Sequence, residues 1–465
     1  MTTQDGHTHL ASSINPATGE QIERFPYLDN TETNIVLDRA LKSFHTWRET
    51  NIVERAKCFT RLASVLRSNK ERYARDLSLE MGKPIRQARA EVEKCSVLCE
   101  WYVKHGPAMI ADEPTTVEGE KAYVSFLPLG LIFAITPWNF PFWQVMRSAV
   151  PILLAGNGFV LKPAPNVIRA AFNVAEAFNE AGFVVDILSV LNIQHGAVPG
   201  VIGDHRIAAV TLTGSVRAGA VVAAEAGRNL KKSVLELGGS DPFIVLADAD
   251  LHKAVPAAVE GRFQNTGQIC VAAKRIIVEA PIAEEFTRRF VDAVKALKVG
   301  DPLDEATYIG PMARQDLRDE LDSQVKRTIE AGAKLLFGGK PIGARNGAFY
   351  APTVLGGVRP GMAAFIEETF GPVAAIIIAR DAEEAVQLAN DSEFGLSGAL
   401  WTADIGRAKA LARRMETGGV FINGSTASDP RTPIGGVKKS GYGRELSHFG
   451  IREFSNAQIV WQDRR

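Results

Sequence analysis

The fold is decided by one run of alternating segments. It begins with GFVLK at Gly158–Lys162, followed by a helical stretch from Val167 to Ala181 and an apolar stretch from Val185 to Val190. It continues with AAVTLTG at Ala208–Gly214, a helical stretch from Val216 to Ala226, then SVLEL at Ser233–Leu237 and PFIVL at Pro242–Leu246. The strand-like pieces are short, almost wholly apolar and separated by helical spacing. That pattern belongs to parallel strands covered on both faces by helices, not to strands with one wet face.

The alternation resumes further along. Arg275–Val278, Ala374–Ile378, GALWT at Gly398–Thr402 and GVFIN at Gly419–Asn423 read as strands. Ile282–Leu297, Glu383–Ala389 and Ile405–Met415 read as helices between them. The predicted class is therefore α/β, with two parallel-sheet units. Upstream, residues 31–106 read as helices, with Val36, Ala40, Leu41 and Phe44 on one face and Val92, Cys95, Cys99 and Tyr102 on another. Gly119–Thr136 is β-rich and reads as two strands joined by a turn at Pro128–Gly130, and Phe454–Trp461 reads as a terminal strand.

Composition removes several functional classes. Lys plus Arg equals Asp plus Glu at 53 each, so no net field recruits nucleic acid. No apolar run approaches a spanning helix, and the first residues lack a basic segment followed by an apolar one. Four cysteines, Cys58, Cys95, Cys99 and Cys270, make no disulfide framework, and the expected compartment is the cytoplasm. The eight histidines form no HExxH or HxxxH pair, so no metal site is expected.

Three short segments carry chemistry. FQNTGQIC places Cys270 in a polar, Gly-containing loop, a poor place to bury a thiol for packing. VLELGG puts Glu236 at the end of an apolar strand, where a carboxylate is either solvated or tuned as a base. ITPWNFP holds Asn139 between aromatics and prolines, either a structural turn or a rigid mount for an amide donor. No GxGxxG follows a strand. TLTGSVRAG stands instead, with Gly214 and Ser215 opening a helix whose N-terminus suits a pyrophosphate.

These segments resemble the aldehyde dehydrogenase superfamily. The resemblance runs from INPATGE through EMGKP, PWNFP, TLTGS, LELGG, FQNTGQIC and EETFGPV to GGVKKSGYGRE, nearly the whole chain. It implies a two-unit Rossmann-like fold. An NAD(P)-binding domain would take 1–109 and 129–237, a catalytic domain 238–453, and an oligomerisation arm and tail 110–128 and 454–465. The arm and tail would pair across subunits in a homodimer or homotetramer. The resemblance makes Cys270 the nucleophile, Glu236 the base that activates water, and Asn139 an oxyanion donor together with the cysteine N–H. It places Thr136, Trp138, Lys162, Gly214, Ser215, Glu368 and Phe370 at the cofactor. A glutamate at 236 favours hydrolysis to the free acid over transfer to coenzyme A. A non-catalytic member of the superfamily would be expected to lack one of Cys270, Glu236 or Asn139.

Two positions leave specificity open. NAD-preferring relatives commonly carry a Glu three residues after the residue matching Lys162, where its charge repels a 2′-phosphate. Here Pro165 stands there, so the expected cofactor is NAD with NADP tolerated. Neither Arg169 nor Arg217 can be placed beside that phosphate from sequence. Arg147, eight residues after Asn139, matches an arginine that pairs with the distal carboxylate in succinate-semialdehyde dehydrogenases. A second arginine found in some of them is replaced by Gln264. DPFIVL, LANDSEFGLS and GGVKKSGYGRELSHFG most resemble the bacterial Sad-type enzymes of that group. Succinate semialdehyde is the expected substrate, with glutarate semialdehyde or a neutral aliphatic or aromatic aldehyde as the alternative.

Overall fold

The computed structural model describes residues 10–117, 121–343 and 347–462. Parts of the predicted arm (118–120) and tail (463–465) lie outside them. The chain builds two mixed sheets that are largely parallel, with helices packed on them. In the first sheet the strand order is Gly441–Tyr442, Lys232–Glu236, Ile207–Thr213, Leu131–Ile135, Gly158–Lys162 and Leu188–Val190. All neighbours run parallel except Gly441–Tyr442, which returns from late in the chain to pair antiparallel with Leu235 and Glu236. Its central strands are fully buried, as Leu131–Ala134 and Phe159–Leu161 show. This is why they read as unbroken apolar runs instead of alternating ones.

The helices Asn30–Glu49, Ile52–Ser68, Lys70–Met81 and Ile85–Met109 share one apolar core with that sheet. The second sheet has the order Lys334–Phe337, Thr353–Gly356, Val373–Ala379, Ala273–Glu279, Asp241–Val245, Gly398–Trp401 and Val420–Ile422. It is parallel but for its first edge pair.

Two features go beyond the sequence reading. Ala122–Pro128 and Leu131–Ile135 are the two strands read on either side of the Pro128–Gly130 turn, and they belong to different sheets. Gly130, at φ +145°, swings the chain from one to the other; a Cβ there would come within 2.9 Å of the Ala208 Cβ. Between 298 and 373, where the sequence shows no clear period, lie the helix Gln315–Glu330 and two strands of the second sheet. That helix buries Leu321, Gln324, Val325 and Thr328. The face has helical spacing, but half of it is polar, so the apolar signal is lost. The terminal strand Ser455–Trp461 pairs antiparallel with Ala122–Pro128 of its own chain, and Glu113–Pro114 completes a small third sheet.

Candidate active site

The loop that carries Cys270 is held under strain. After the helix Leu251–Phe263 the chain turns through Asn265 and Thr266, whose φ angles are 52° and 56°, and then Gly267 at 72°. A left-handed β-branched threonine costs about 1–3 kcal/mol and persists only where its surroundings over-determine it. Buried Arg262 supplies that constraint. Its Nε donates to the Val373 carbonyl at 2.5 Å, Nη1 to Gly267 at 3.1 Å, and Nη2 to Thr369 at 2.9 Å and Gly371 at 2.5 Å. Gly267 admits no side chain, because a Cβ would lie 2.3 Å from the Gly371 oxygen. Cys270 thus leaves a loop with one available conformation.

Asn139 is stitched to the same loop from the other side. Asn265 Nδ2 donates to the Asn139 carbonyl at 2.8 Å, and Asn139 Nδ2 donates to the Gln268 carbonyl at 3.0 Å. A carboxamide carries two N–H donors. The second is not taken by any described protein acceptor, which fits a donor waiting for charge to develop beside Cys270.

Glu236 ends its strand 2% exposed, and its Oε1 has no hydrogen-bond partner. Burial pushes its carboxyl up to about 8, opposed by the cation of Arg147 and reinforced by the like charge of Glu445. Arg147, from the helix Trp143–Leu154, is also buried. Its guanidinium forms an ion pair with Glu445, stands 3.9 Å from Glu236 Oε2 and donates to Thr213 Oγ1 at 3.3 Å. Gly435 presses on the same carboxylate: a Cβ there would sit 2.9 Å from Glu236 Oε1. Burial pushes the Cys270 thiol up to about 11, against the pull of Arg147 and Lys274. The resting sulfur is therefore protonated at neutral pH and needs a base nearby.

Cys270 lines two cavities at once. The larger, about 520 Å³, is also walled by Trp138, Asn139, Gly214, Ser215, Glu368 and Phe370. Trp138 and Phe370 meet edge to face at 5.6 Å. Ser215 caps the helix Val216–Arg228, its Oγ accepting from the Ala218 N–H at 3.3 Å. Gly219 lets that helix close on Leu237, whose side chain would lie 2.6 Å from an added Cβ. Lys274, which looks like an ordinary strand charge in sequence, donates to the Cys270 carbonyl at 2.6 Å and to Glu368 Oε1 at 2.9 Å. It ties Cys270 to the cavity wall, and only the fold reveals it.

Lys162 and Thr136 sit at adjoining strand ends, where the Thr136 N–H donates to the Lys162 carbonyl at 3.1 Å. Neither lines that cavity directly. Lys162 Nζ reaches the Pro163 carbonyl at 3.2 Å, and burial lowers its ammonium to about 8. Arg169 is spent on Glu23, and Arg217 is exposed beside Ser215. The second cavity, about 320 Å³, lies on the other side of Cys270 and is lined by Lys94, Trp143, Arg147, Gln264 and Ser428 among others.

A half-buried cysteine shared by a cavity of about 520 Å³ and another of about 320 Å³ suits a reaction that joins a cofactor to a small substrate. The comparisons with known proteins agree. The chain is 58% identical over 457 residues to the succinate semialdehyde dehydrogenase [NAD(P)+] Sad of Escherichia coli, covering 98% of each. It is 46% identical over 450 residues to a probable succinate-semialdehyde dehydrogenase [NADP(+)] of Synechocystis, covering 97% of this chain and 99% of that one. Among solved structures, the succinic semialdehyde dehydrogenase of Streptococcus pyogenes in complex with NADP+ superposes with a TM-score of 0.94 at 36% identity, covering 97% of this chain and 99% of that one. The aldehyde dehydrogenase family pattern matches residues 2–460, and the chain belongs to that family.

Proposed function

We propose that this protein oxidises succinate semialdehyde to succinate, with NAD or NADP as hydride acceptor. The observation that carries the reading is Cys270 standing between two cavities with a buried carboxylate, Glu236, whose charge acts on the thiol. The residues fit a dinucleotide. Gly214 and Ser215 open a helix N-terminus onto the larger cavity, and the Trp138–Phe370 pair offers flat apolar walls. Trp138, Gly214, Ser215, Glu368 and Phe370 would hold the cofactor, with Lys162 and Thr136 at the ribose end. When bound, the nicotinamide supplies the acceptor for the aldehyde hydride.

The chain's own residues do the rest. Cys270 passes its proton to ionised Glu236, which releases it to solvent, and adds to the aldehyde carbon, giving a thiohemiacetal whose oxyanion is met by the free N–H of Asn139 and the Cys270 N–H. Once oxidised, the carbon remains on Cys270 as a thioester. Glu236 takes a proton from water, and the resulting hydroxide displaces the sulfur and releases the acid. Arg147 lines the substrate cavity and holds Glu445 and Glu236 in register. Pro165 is uncharged and Lys162 Nζ bonds to the Pro163 carbonyl, with no carboxylate partner among the described residues to set a negative charge against a 2′-phosphate. This supports use of either cofactor.

We further infer a homodimer or homotetramer assembled through the arm and tail. Support comes from Ile459 and Trp461, which are 54% and 61% exposed on the outer strand of the third sheet. The domains implied by the sequence, 1–109 with 129–237, 238–453, and the arm and tail, are kept in this reading. The test is a steady-state panel of succinate semialdehyde, glutarate semialdehyde and butanal with each cofactor. The expected result is highest kcat/KM for succinate semialdehyde, with both cofactors turned over. Higher kcat/KM for butanal would transfer the enzyme to the neutral aldehydes, and no aldehyde-dependent NADH burst would make it a binding protein.

A further inference from the structure

Resting on that reading, we propose that Lys94, with Ser428, is the cation that reads the distal carboxylate of the substrate. Arg147 is the obvious choice from sequence, but its charge is committed. It is held in a buried ion pair with Glu445, beside the Glu236 carboxyl at 3.9 Å, so its charge is already balanced. Gln264, at the place of a second arginine in some relatives, is neutral. The smaller cavity must therefore find its positive charge elsewhere, and Lys94 is the cation that remains.

Lys94 projects from the helix Ile85–Met109 into the cavity that Cys270 lines. Its Nζ lies 4.0 Å from the centroid of the Trp143 ring and donates to Ser428 Oγ at 2.9 Å. It has no carboxylate within ion-pair distance among the described residues. The acidic groups around it are otherwise occupied. Glu91 is paired with buried Lys83, Asp429 with Arg431 at 2.8 Å, and Glu260 is exposed to solvent. Burial lowers the Lys94 ammonium to about 8, so it is charged at neutral pH yet lacks its full hydration. Such a group gains most from a carboxylate partner.

Ser428 completes the subsite. Its oxygen already accepts from Lys94 Nζ and from Trp143 Nε1, both at 2.9 Å. The hydroxyl proton is left to donate. A carboxylate entering the cavity would take an N–H from Lys94 on one oxygen and the O–H of Ser428 on the other, while Trp143 fixes the position of both. The aldehyde end then faces Cys270 in the same cavity.

The experiment compares kcat/KM for succinate semialdehyde with kcat/KM for butanal, as a ratio, in the wild type, Lys94→Met and Lys94→Arg. The ratio should fall about ten-fold or more in Lys94→Met, through KM, because a charge-assisted hydrogen bond is lost. It should stay within about three-fold of wild type in Lys94→Arg, which keeps the charge. An unchanged ratio in Lys94→Met, or an equal fall in both variants, overturns the assignment. A wild-type ratio near or below one instead sinks the substrate reading itself, and Lys94 with it.

Discussion

Glu236, Arg147 and Glu445 form a buried trio in which two carboxylates share one guanidinium, and the balance among them sets when Glu236 ionises. As the proposed base Glu236 must be ionised, and its carboxyl is held at about 8, so thioester hydrolysis should rise with pH through that region. Arg147 lowers that value and Glu445 raises it. Removing the cation in Arg147→Met should therefore move the acidic limb up by about one pH unit or more, and removing the like charge in Glu445→Gln should move it down. The pH profile of single-turnover thioester hydrolysis reports this directly. If both limbs stayed where the wild type has them, Glu236 would not be the titrating base. Cys270, Glu236 and Asn139 could be named as candidates from sequence, because each sits in a short segment and the order of those segments resembles a known family. Lys94 and Lys274 could not be found that way. Each is an unremarked charge on a helix or strand until the fold brings it against a cavity or a carbonyl.

The loop bearing Asn139 depends on a helix start capped from far away in sequence. The helix Trp143–Leu154 has no side-chain cap of its own. Instead Glu91 Oε1 accepts from the N–H groups of Phe142 at 2.9 Å and Trp143 at 3.0 Å, while its Oε2 pairs with Lys83. Lys83 in turn lies 3.7 Å from the centroid of Phe140, next to Asn139. A buried carboxylate here satisfies two orphan donors and complements the helix dipole. Glu91→Ala would leave Lys83 charged and unpaired, at a cost of about 3–5 kcal/mol. The expected outcome is a lower urea unfolding midpoint together with a fall in kcat, since Asn139 loses its mount. A variant with wild-type midpoint and reduced kcat would place Glu91 in the chemistry, and one with both unchanged would remove it from either role. The βαβ alternation itself was legible because buried parallel strands are apolar throughout. The hairpin of Leu10–Ile14 with Gln21–Pro26 was not, since exposed residues dominate the second strand and the first buries only Ala11 and the polar Ser13.

At the scale of the whole molecule, the third sheet stands apart from the two large ones. Ser455–Trp461 closes onto Ala122–Pro128 in register, Ile459 opposite Val124 and Trp461 opposite Ala122. Its other edge has no strand partner among the described residues. Sequence showed an extended apolar tail but not that its first partner is its own chain, because strand pairing over more than three hundred residues leaves no local trace. Tyr123, Leu127, Ile459 and Trp461 are all exposed on these strands. With formal charges balanced at 53 and 53, little long-range repulsion keeps two copies apart. A charge placed on this apolar sheet would have to be desolvated on association, a larger penalty than a rim contact can offset. Ile459→Asp combined with Trp461→Asp should therefore lower the assembly state seen by sedimentation velocity. Because both side chains are mostly in water within one chain, the change should barely alter the helical circular dichroism. If the sedimentation coefficient of this variant matched wild type, the contact between subunits would have to lie on another face.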